Sequence, residues 1–112
     1  MKKDWTYEFP AAITVSDLDG TILIMNEKSA SVFSDDGGSK LIGKSLFDCH
    51  APASAGKIKE LIAENKSNAY TIEKNGKNKL IYQSPWYENG KIMGIAEISI
   101  EIPFDMPHFI RS

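Results

Sequence analysis

Cys49 and His50, neighbours in the stretch FDCHAP, carry the side chains of this sequence best suited to chemistry. An imidazole can bind a metal or the iron of haem, and a thiolate can act as a nucleophile or redox sensor. The other histidine, His108, lies far along the chain, and the remaining two candidates are adjacent, so we predict no metal site. Because Lys44 is the only basic residue nearby, Cys49 is better explained as a small buried side chain.

A second candidate site is the stretch DLDGT, which follows an apolar run. It resembles the signature of haloacid-dehalogenase phosphatases, and this resemblance implies Asp17 as the nucleophile and Asp19 as the general acid and base. Such enzymes need a parallel sheet that brings further catalytic residues to the same edge. Here the next strand pairs back at once and no strand–helix–strand repeat follows, so the sequence favours a hairpin turn. We therefore interpret the chain as a non-enzyme and predict no catalytic residue.

Composition excludes several classes of partner. The chain has 112 residues, enough for one domain, and a net charge of −2, which gives no electrostatic footprint for nucleic acid. No apolar stretch approaches the roughly eighteen residues that span a bilayer. The N-terminus lacks the apolar region of a signal peptide, and the single cysteine fits a reducing compartment. We expect a cytoplasmic protein that binds neither nucleic acid nor membrane.

The pattern of elements predicts an α+β fold. Residues 12–16 and 21–25 read as two strands joined by the Asp-Gly turn, and Asn26 is typical of a helix N-cap. A longer helix is predicted over residues 53–65, and three strands follow. The Asn-Gly pair at 89–90 predicts a type I′ hairpin. We expect a five-stranded antiparallel sheet with short helices and one longer helix packed on one face.

Residues 11–102 resemble a PAS domain, the small sensory fold of signalling proteins. The resemblance rests on an Asp-x-x-Gly hairpin, an asparagine that opens a helix, a glycine before the next helix, and glycines near the last strand. The matching residues are Asp17, Gly20, Ile22, Asn26, Ala30, Gly43, Leu46, Gly90 and Gly94. Residues 1–10 then form an N-terminal segment and residues 103–112 a C-terminal tail. The resemblance implies a sensory or interaction domain in signal transduction that binds a small ligand, a signalling protein or a second copy of itself.

The last strand determines where a ligand pocket is predicted to lie. One alternating set of its residues, which contains Gly94, Ala96 and Ile98, is expected to face the core. The two small residues leave room in the middle of that face. The predicted pocket is lined by Phe33, Leu46, His50, Ile58, Ile62, Tyr82, Gly94, Ala96 and Ile98.

The resemblance also implies an alternative in which the cofactor is haem. His50 lies between the short helices and the longer helix, a region that lines the ligand cavity in PAS folds, and it is the candidate axial ligand. There is no Asn-Cys pair of the flavin-photoreceptor type, so covalent flavin photochemistry is not expected. The identity of any cofactor stays open.

The other face of the last strand is predicted to be a docking face. Met93, Ile95 and Glu97 belong to it, and the two apolar side chains should be covered by the N-terminal segment around Trp5 or by a second subunit. The PAS resemblance adds that such domains commonly form homodimers through the outer face of the sheet. The C-terminal tail contains enough apolar residues that we expect it to pack against the domain.

Overall fold

Residues 4–47 and 52–112 are described by the computed structural model, and their five strands form an antiparallel sheet of order β2-β1-β5-β4-β3. The strands are β1 (Ala12–Ser16), β2 (Ile22–Met25), β3 (Asn68–Lys74), β4 (Lys77–Glu88) and β5 (Lys91–Ile102). Between β2 and β3 lie helix α1 (Glu27–Val32), two 3-10 turns (Ser34–Asp36 and Gly38–Leu41) and helix α2 (Pro52–Glu64). The predicted α+β fold is confirmed.

One face of the sheet is covered by the helices. In α2, Ile58 and Leu61 are almost fully buried, while the lysines and glutamates of the helix point outward. Burying an aliphatic side chain of this size contributes about 1.5–3 kcal/mol each. The core cluster consists of Ile22, Met25, Leu41, Leu46, Ile58, Leu61 and Ile95. None of the helices in the described ranges is long and apolar enough to cross a membrane.

The side chain of Asn26 forms hydrogen bonds that connect the N-terminal segment to the start of α1. Its Oδ1 accepts hydrogen bonds from the backbone N–H groups of Ser29 (3.0 Å) and Ile13 (2.9 Å), and its Nδ2 donates to the carbonyls of Thr6 and Ala11 at 2.8 Å each. The predicted N-cap is confirmed. Because these bonds join three parts of the chain, the buried Asn26 side chain also anchors residues 6–13 beside α1.

The hairpin between β4 and β5 has the predicted turn. Asn89 and Gly90 adopt φ angles of 50° and 78°, and positive φ at both central positions defines a type I′ turn. The turn pairs Glu88 with Lys91 and starts the longest ladder of the sheet. This local chemistry sets the first two pairs of the hairpin, and a register shift between Tyr87 and Trp86 then moves the remaining pairs by one residue.

The helices cover one face of the sheet, the inner face, which contains Thr14, Ile81 and Ile95. The opposite, outer face contains Tyr82 and Ile98. Tyr82 and Ile98 are directly opposite each other on β4 and β5. They are 43% and 38% exposed, so the outer face retains accessible apolar surface.

The predicted orientation of β5 is wrong. Ile95 is 2% exposed and belongs to the core cluster, so the inner face takes Ile95, Glu97 and Ser99 instead of the set with Ala96 and Ile98. Both alternating sets contain isoleucines, and composition therefore did not distinguish them. A shift of one residue exchanges the faces of a strand, so the error applies to the β5 residues from Gly94 onward, beyond the register shift that separates Ile92 from Gly94.

The C-terminal tail does not pack against the domain as predicted. Its apolar side chains are all exposed: Phe104, Met106, Phe109 and Ile110. Pro103 follows the end of β5, where the chain leaves the sheet.

Candidate ligand-binding cavity

A cavity of about 220 Å³ lies between the inner face of the sheet and the end of α1. Four of the five strands contribute to its wall. The lining residues are Ala12, Thr14, Val32, Phe33, Tyr70, Ile72, Lys74, Lys79, Ile81, Glu97 and Ser99. The volume is below the roughly 300–1,000 Å³ of pockets for drug-sized ligands, so the cavity fits a smaller molecule.

A chain of amide and carboxylate groups orients Glu97 within this cavity. Asn68 Nδ2 donates to Gln83 Oε1 at 3.2 Å, and Gln83 Nε2 donates to Glu97 Oε2 at 2.7 Å. The bond from Asn68 fixes which end of the Gln83 amide faces Glu97, because an amide presents its donor and its acceptor on opposite sides. This series of hydrogen-bonded side chains crosses β3, β4 and β5 on the inner face of the sheet.

Glu97 lines the cavity, and among the described residues only one of its two carboxylate oxygens, Oε2, has a hydrogen-bond partner. Among the described residues, Glu97 forms no ion pair, and no fully buried side-chain oxygen or nitrogen lacks a hydrogen-bond partner. Oε1 is therefore not sealed in the protein interior. Glu97 also borders two small voids of about 10 Å³ beside the core, so its carboxylate lies at the junction of the cavity and the packed interior.

Tyr70 stands beside Glu97 on the cavity wall. Burial raises the pKa of the Tyr70 phenol above its usual value of 10.0, and the negative charge of Glu97 raises that pKa further. The phenol therefore stays protonated at neutral pH and keeps an O–H that can donate to a ligand. Phe33, Ile72 and Ile81 give the same cavity an apolar wall.

Two lysines lie at the other end of the cavity. Lys79 is paired with Ile72 on β3 and with Glu101 on β5, and Lys74 is near the end of β3. Both line the cavity, and within residues 4–47 and 52–112 neither forms an ion pair, since Glu101 contacts Lys77. The cavity is consequently negative at Glu97 and positive at its lysine end.

The structure brings together only part of the predicted pocket. Phe33 lines the cavity. Leu46 and Ile58 belong to the adjacent core, against which Ile62 packs. His50, the candidate haem ligand, lies outside the described residues, as does Cys49.

The remaining predicted pocket residues lie elsewhere because the sequence analysis assigned the wrong face of β4 and of β5 to the core. Tyr82, Gly94, Ala96 and Ile98 alternate away from the cavity-lining residues of their strands. Gly94 has a separate role, since a Cβ there would lie 1.9 Å from the backbone oxygen of Ser16. Its lack of a side chain lets β1 approach β5 closely.

The predicted docking face requires the same correction. Ile95 and Glu97 point into the domain, and Met93 is half-buried. Trp5 is 73% exposed and stacks edge-on against Phe9, with ring centroids 5.4 Å apart. The apolar side chains that are exposed on the outer face include those of Tyr82 and Ile98.

Sequence reasoning missed Thr14, Ser99 and the cavity role of Glu97. The available signal was a polar pair: Glu97 interrupts an isoleucine-rich strand, and Gln83 occupies the matching position on the neighbouring strand. Side chains directly opposite each other on neighbouring strands interact, and polar groups that are removed from water are usually hydrogen-bonded, so this pair predicts a hydrogen bond between the two strands.

Asp17 has a structural role in its turn. Its Oδ1 accepts hydrogen bonds from the backbone N–H groups of Asp19 and Thr21, both at 2.9 Å. This is the hydrogen-bonding pattern of a turn in which an aspartate replaces a backbone acceptor. In the part of the chain that the structure describes, no group of three His, Cys, Asp or Glu side chains could hold a metal ion.

The protein is similar to known proteins in its three-dimensional structure. No family model matches the chain, and a search of curated sequences gave no match. The sensory box sensor histidine kinase from Vibrio cholerae has a TM-score of 0.64 at 18% identity, with 87% of this chain and 86% of that chain covered. The PAS domain of histidine kinase ThkA has a TM-score of 0.65 at 16% identity, with 80% and 97% covered. The chain has a PAS-like fold.

A third similar structure is that of VqmA bound to DPO. It has a TM-score of 0.71 at 14% identity, and the alignment covers 89% of this chain and 55% of that chain. The PAS-like domain therefore spans about half of VqmA. At these identities the likeness shows the fold, while the cavity chemistry described above comes from the residues of this chain.

Proposed function

We propose that this PAS-like domain is a sensory module, without catalytic activity, that binds a small molecule in the cavity around Glu97. The observation that carries the proposal is the cavity itself, which has about 220 Å³ of space, an apolar wall and an oriented carboxylate. Pockets of this composition use a few fixed polar groups to orient a ligand and apolar surface to bind it. The likeness to sensor kinases and to the structure of VqmA bound to DPO supports the same function.

A cavity-filling variant tests this proposal. Ser99→Leu adds a large side chain to the cavity wall, whereas Ser31→Leu adds the same side chain on the exposed surface of α1. Mass spectrometry of small molecules released from the purified parent, and thermal shifts in a metabolite extract, measure ligand binding. We expect the parent and Ser31→Leu to retain ligand and Ser99→Leu to lose it. If both variants and the parent gain the same thermal shift, the ligand binds elsewhere and the proposal is wrong.

A haem-binding sensor with His50 as axial ligand is the alternative, and the described residues favour it less. The cavity is smaller than pockets for drug-sized ligands, and haem is larger than most such ligands. Glu97 would also present a carboxylate rather than an apolar wall to the macrocycle. Absorption spectra of the parent and His50→Ala after haem addition distinguish the two proposals, since axial ligation by His50 predicts a Soret shift that the variant loses.

Homodimerisation is a second candidate function, and the exposed outer face favours it. Tyr82 and Ile98 form an apolar pair at the centre of β4 and β5 that the helices do not cover. Exposed apolar patches on a sheet often mark interaction sites. A second copy or a signalling protein would bury this pair.

We also place the domain in the cytoplasm, on the basis of its single cysteine.

A further inference from the structure

The distribution of charge in the cavity identifies a class of ligand. Glu97 lines the cavity; one of its carboxylate oxygens accepts from Gln83, and the other is not fully buried and has no hydrogen-bond partner among the described residues. The lysine end offers Lys74 and Lys79, neither of which is paired among the described residues. A molecule with opposite charges at its two ends can pair with both ends of this cavity, whereas a molecule with a single charge can pair with only one of them.

We propose that the cavity binds a small zwitterion of the ω-amino carboxylate type, with its ammonium group at Glu97 and its carboxylate at Lys79 and Lys74. This inference rests on the proposed ligand-binding function and adds the chemistry of the ligand. Hydrogen bonds between ionised partners are roughly twice as strong as those between neutral groups. Gln83 and Asn68 act as positioning residues, since they hold Glu97 in the orientation that faces the ammonium group.

The separation of the two ends sets the length of the ligand. Lys79 on β4 is paired with Glu101 on β5, and Glu101 is four residues beyond Glu97. At a rise of about 3.3 Å per residue, Lys79 and Glu97 are therefore about 13 Å apart along the strand direction. The flexible side chain of Lys79 can extend toward Glu97, so the ligand has to span only a few methylene groups. Phe33, Ile72 and Ile81 line the space between, so the middle of the ligand should be apolar.

Three probes of matched length test the inference. They are 5-aminopentanoate, pentanoate, which lacks the ammonium group, and pentylamine, which lacks the carboxylate. We expect calorimetric titration of the parent to give at least tenfold tighter binding for 5-aminopentanoate than for either other probe. Glu97→Gln should abolish the preference over pentanoate, and Lys79→Gln should reduce the preference over pentylamine. The exposed positions Glu73 and Lys91 provide control variants, Glu73→Gln and Lys91→Gln, which should bind like the parent.

Other outcomes overturn the inference without depending on the stability of a variant. If the parent binds pentanoate or pentylamine as tightly as 5-aminopentanoate, the cavity does not require both charges. If 5-aminopentanoate at millimolar concentration leaves the NMR signals of Tyr70 and Glu97 unchanged, the zwitterion does not enter the cavity. A neutral metabolite that shifts the signals of those same residues would overturn the zwitterion while leaving the proposed sensory function in place.

Discussion

Gln83 and Glu97 face each other across the two central strands of the sheet, and Gln83 Nε2 donates to Glu97 Oε2 at 2.7 Å. This pair places a carboxylate on the face of the sheet that the helices cover. Glu97 is half-buried there, held by the hydrogen bond from Gln83 and bordered by the cavity. The inner face is thus divided into an apolar core around Ile95 and a polar cavity around Glu97.

The orientation of β5 predicts opposite effects for two isoleucine substitutions. Ile95→Glu should unfold the domain, because an unpaired carboxylate would replace a core side chain that is 2% exposed. Ile98→Glu should leave the fold intact and weaken self-association, because Ile98 lies on the outer face. Circular dichroism and sedimentation velocity measure the two effects. Unfolding of Ile98→Glu with a folded Ile95→Glu would contradict this orientation.

The close approach of β1 to β5 predicts that Gly94 does not tolerate a side chain. In Gly94→Ala the new Cβ would lie 1.9 Å from Ser16 O, so we expect a loss of more than about 2 kcal/mol in the free energy of unfolding. Gly90→Ala is the matched control: Gly90 also has positive φ, but nothing lies within 4 Å of a Cβ there, and the expected loss is about 1 kcal/mol. Urea denaturation compares them, and equal losses would rule out the steric explanation.

Tyr70 predicts a loss of stability at alkaline pH. In the unfolded chain its phenol ionises near 10.0, and in the folded domain burial and Glu97 raise the pKa above that value. As pH rises through this interval, the unfolded state releases a proton that the folded state retains, so the free energy of unfolding falls. Urea denaturation at about pH 8 and about pH 11 should show a smaller fall for Tyr70→Phe than for the parent. Tyr82→Phe on the outer face is the control, and an equal reduction in both variants would contradict the assignment.

The turn role of Asp17 predicts that its charge is dispensable. Asp17→Asn keeps the Oδ1 acceptor for the N–H groups of Asp19 and Thr21, so stability should change by less than about 1 kcal/mol. Asp17→Ala removes the acceptor and should cost about 1–3 kcal/mol. Hydrolysis of p-nitrophenyl phosphate should remain at background in the parent and both variants. Phosphatase activity in the parent that Asp17→Asn removes would instead support a catalytic aspartate.

The fold was predictable from the sequence where local chemistry determines the backbone. Asn89 and Gly90 specify a type I′ turn through their tolerance of positive φ, and Asn26 specifies a helix start through its short acceptor. These signals, together with the order of the elements, were sufficient for the antiparallel sheet and its helical cover.

The candidate site was less predictable because it depends on which face of β5 turns inward. Ile95 and Ile98 are chemically alike, so only tertiary contacts decide which of them is buried. Glu97 points inward at a half-buried position although carboxylates are mostly exposed, and the hydrogen bond from Gln83 and the cavity accommodate it there. Gln83 is 14 residues away in sequence, and it is placed opposite Glu97 by a register shift between Trp86 and Tyr87 that the sequence alone did not reveal.

A two-dimensional NMR titration of the intact chain with a pooled metabolite extract reports directly whether a small molecule binds in the cavity around Glu97. We expect the chemical shift changes to concentrate on residues that line the cavity on different elements: Thr14, Phe33, Tyr70, Ile81 and Ser99. Signals of Tyr82 and Ile98 on the outer face serve as the internal comparison. Chemical shift changes confined to that outer face, or none at any metabolite concentration, would show that no ligand binds in this cavity.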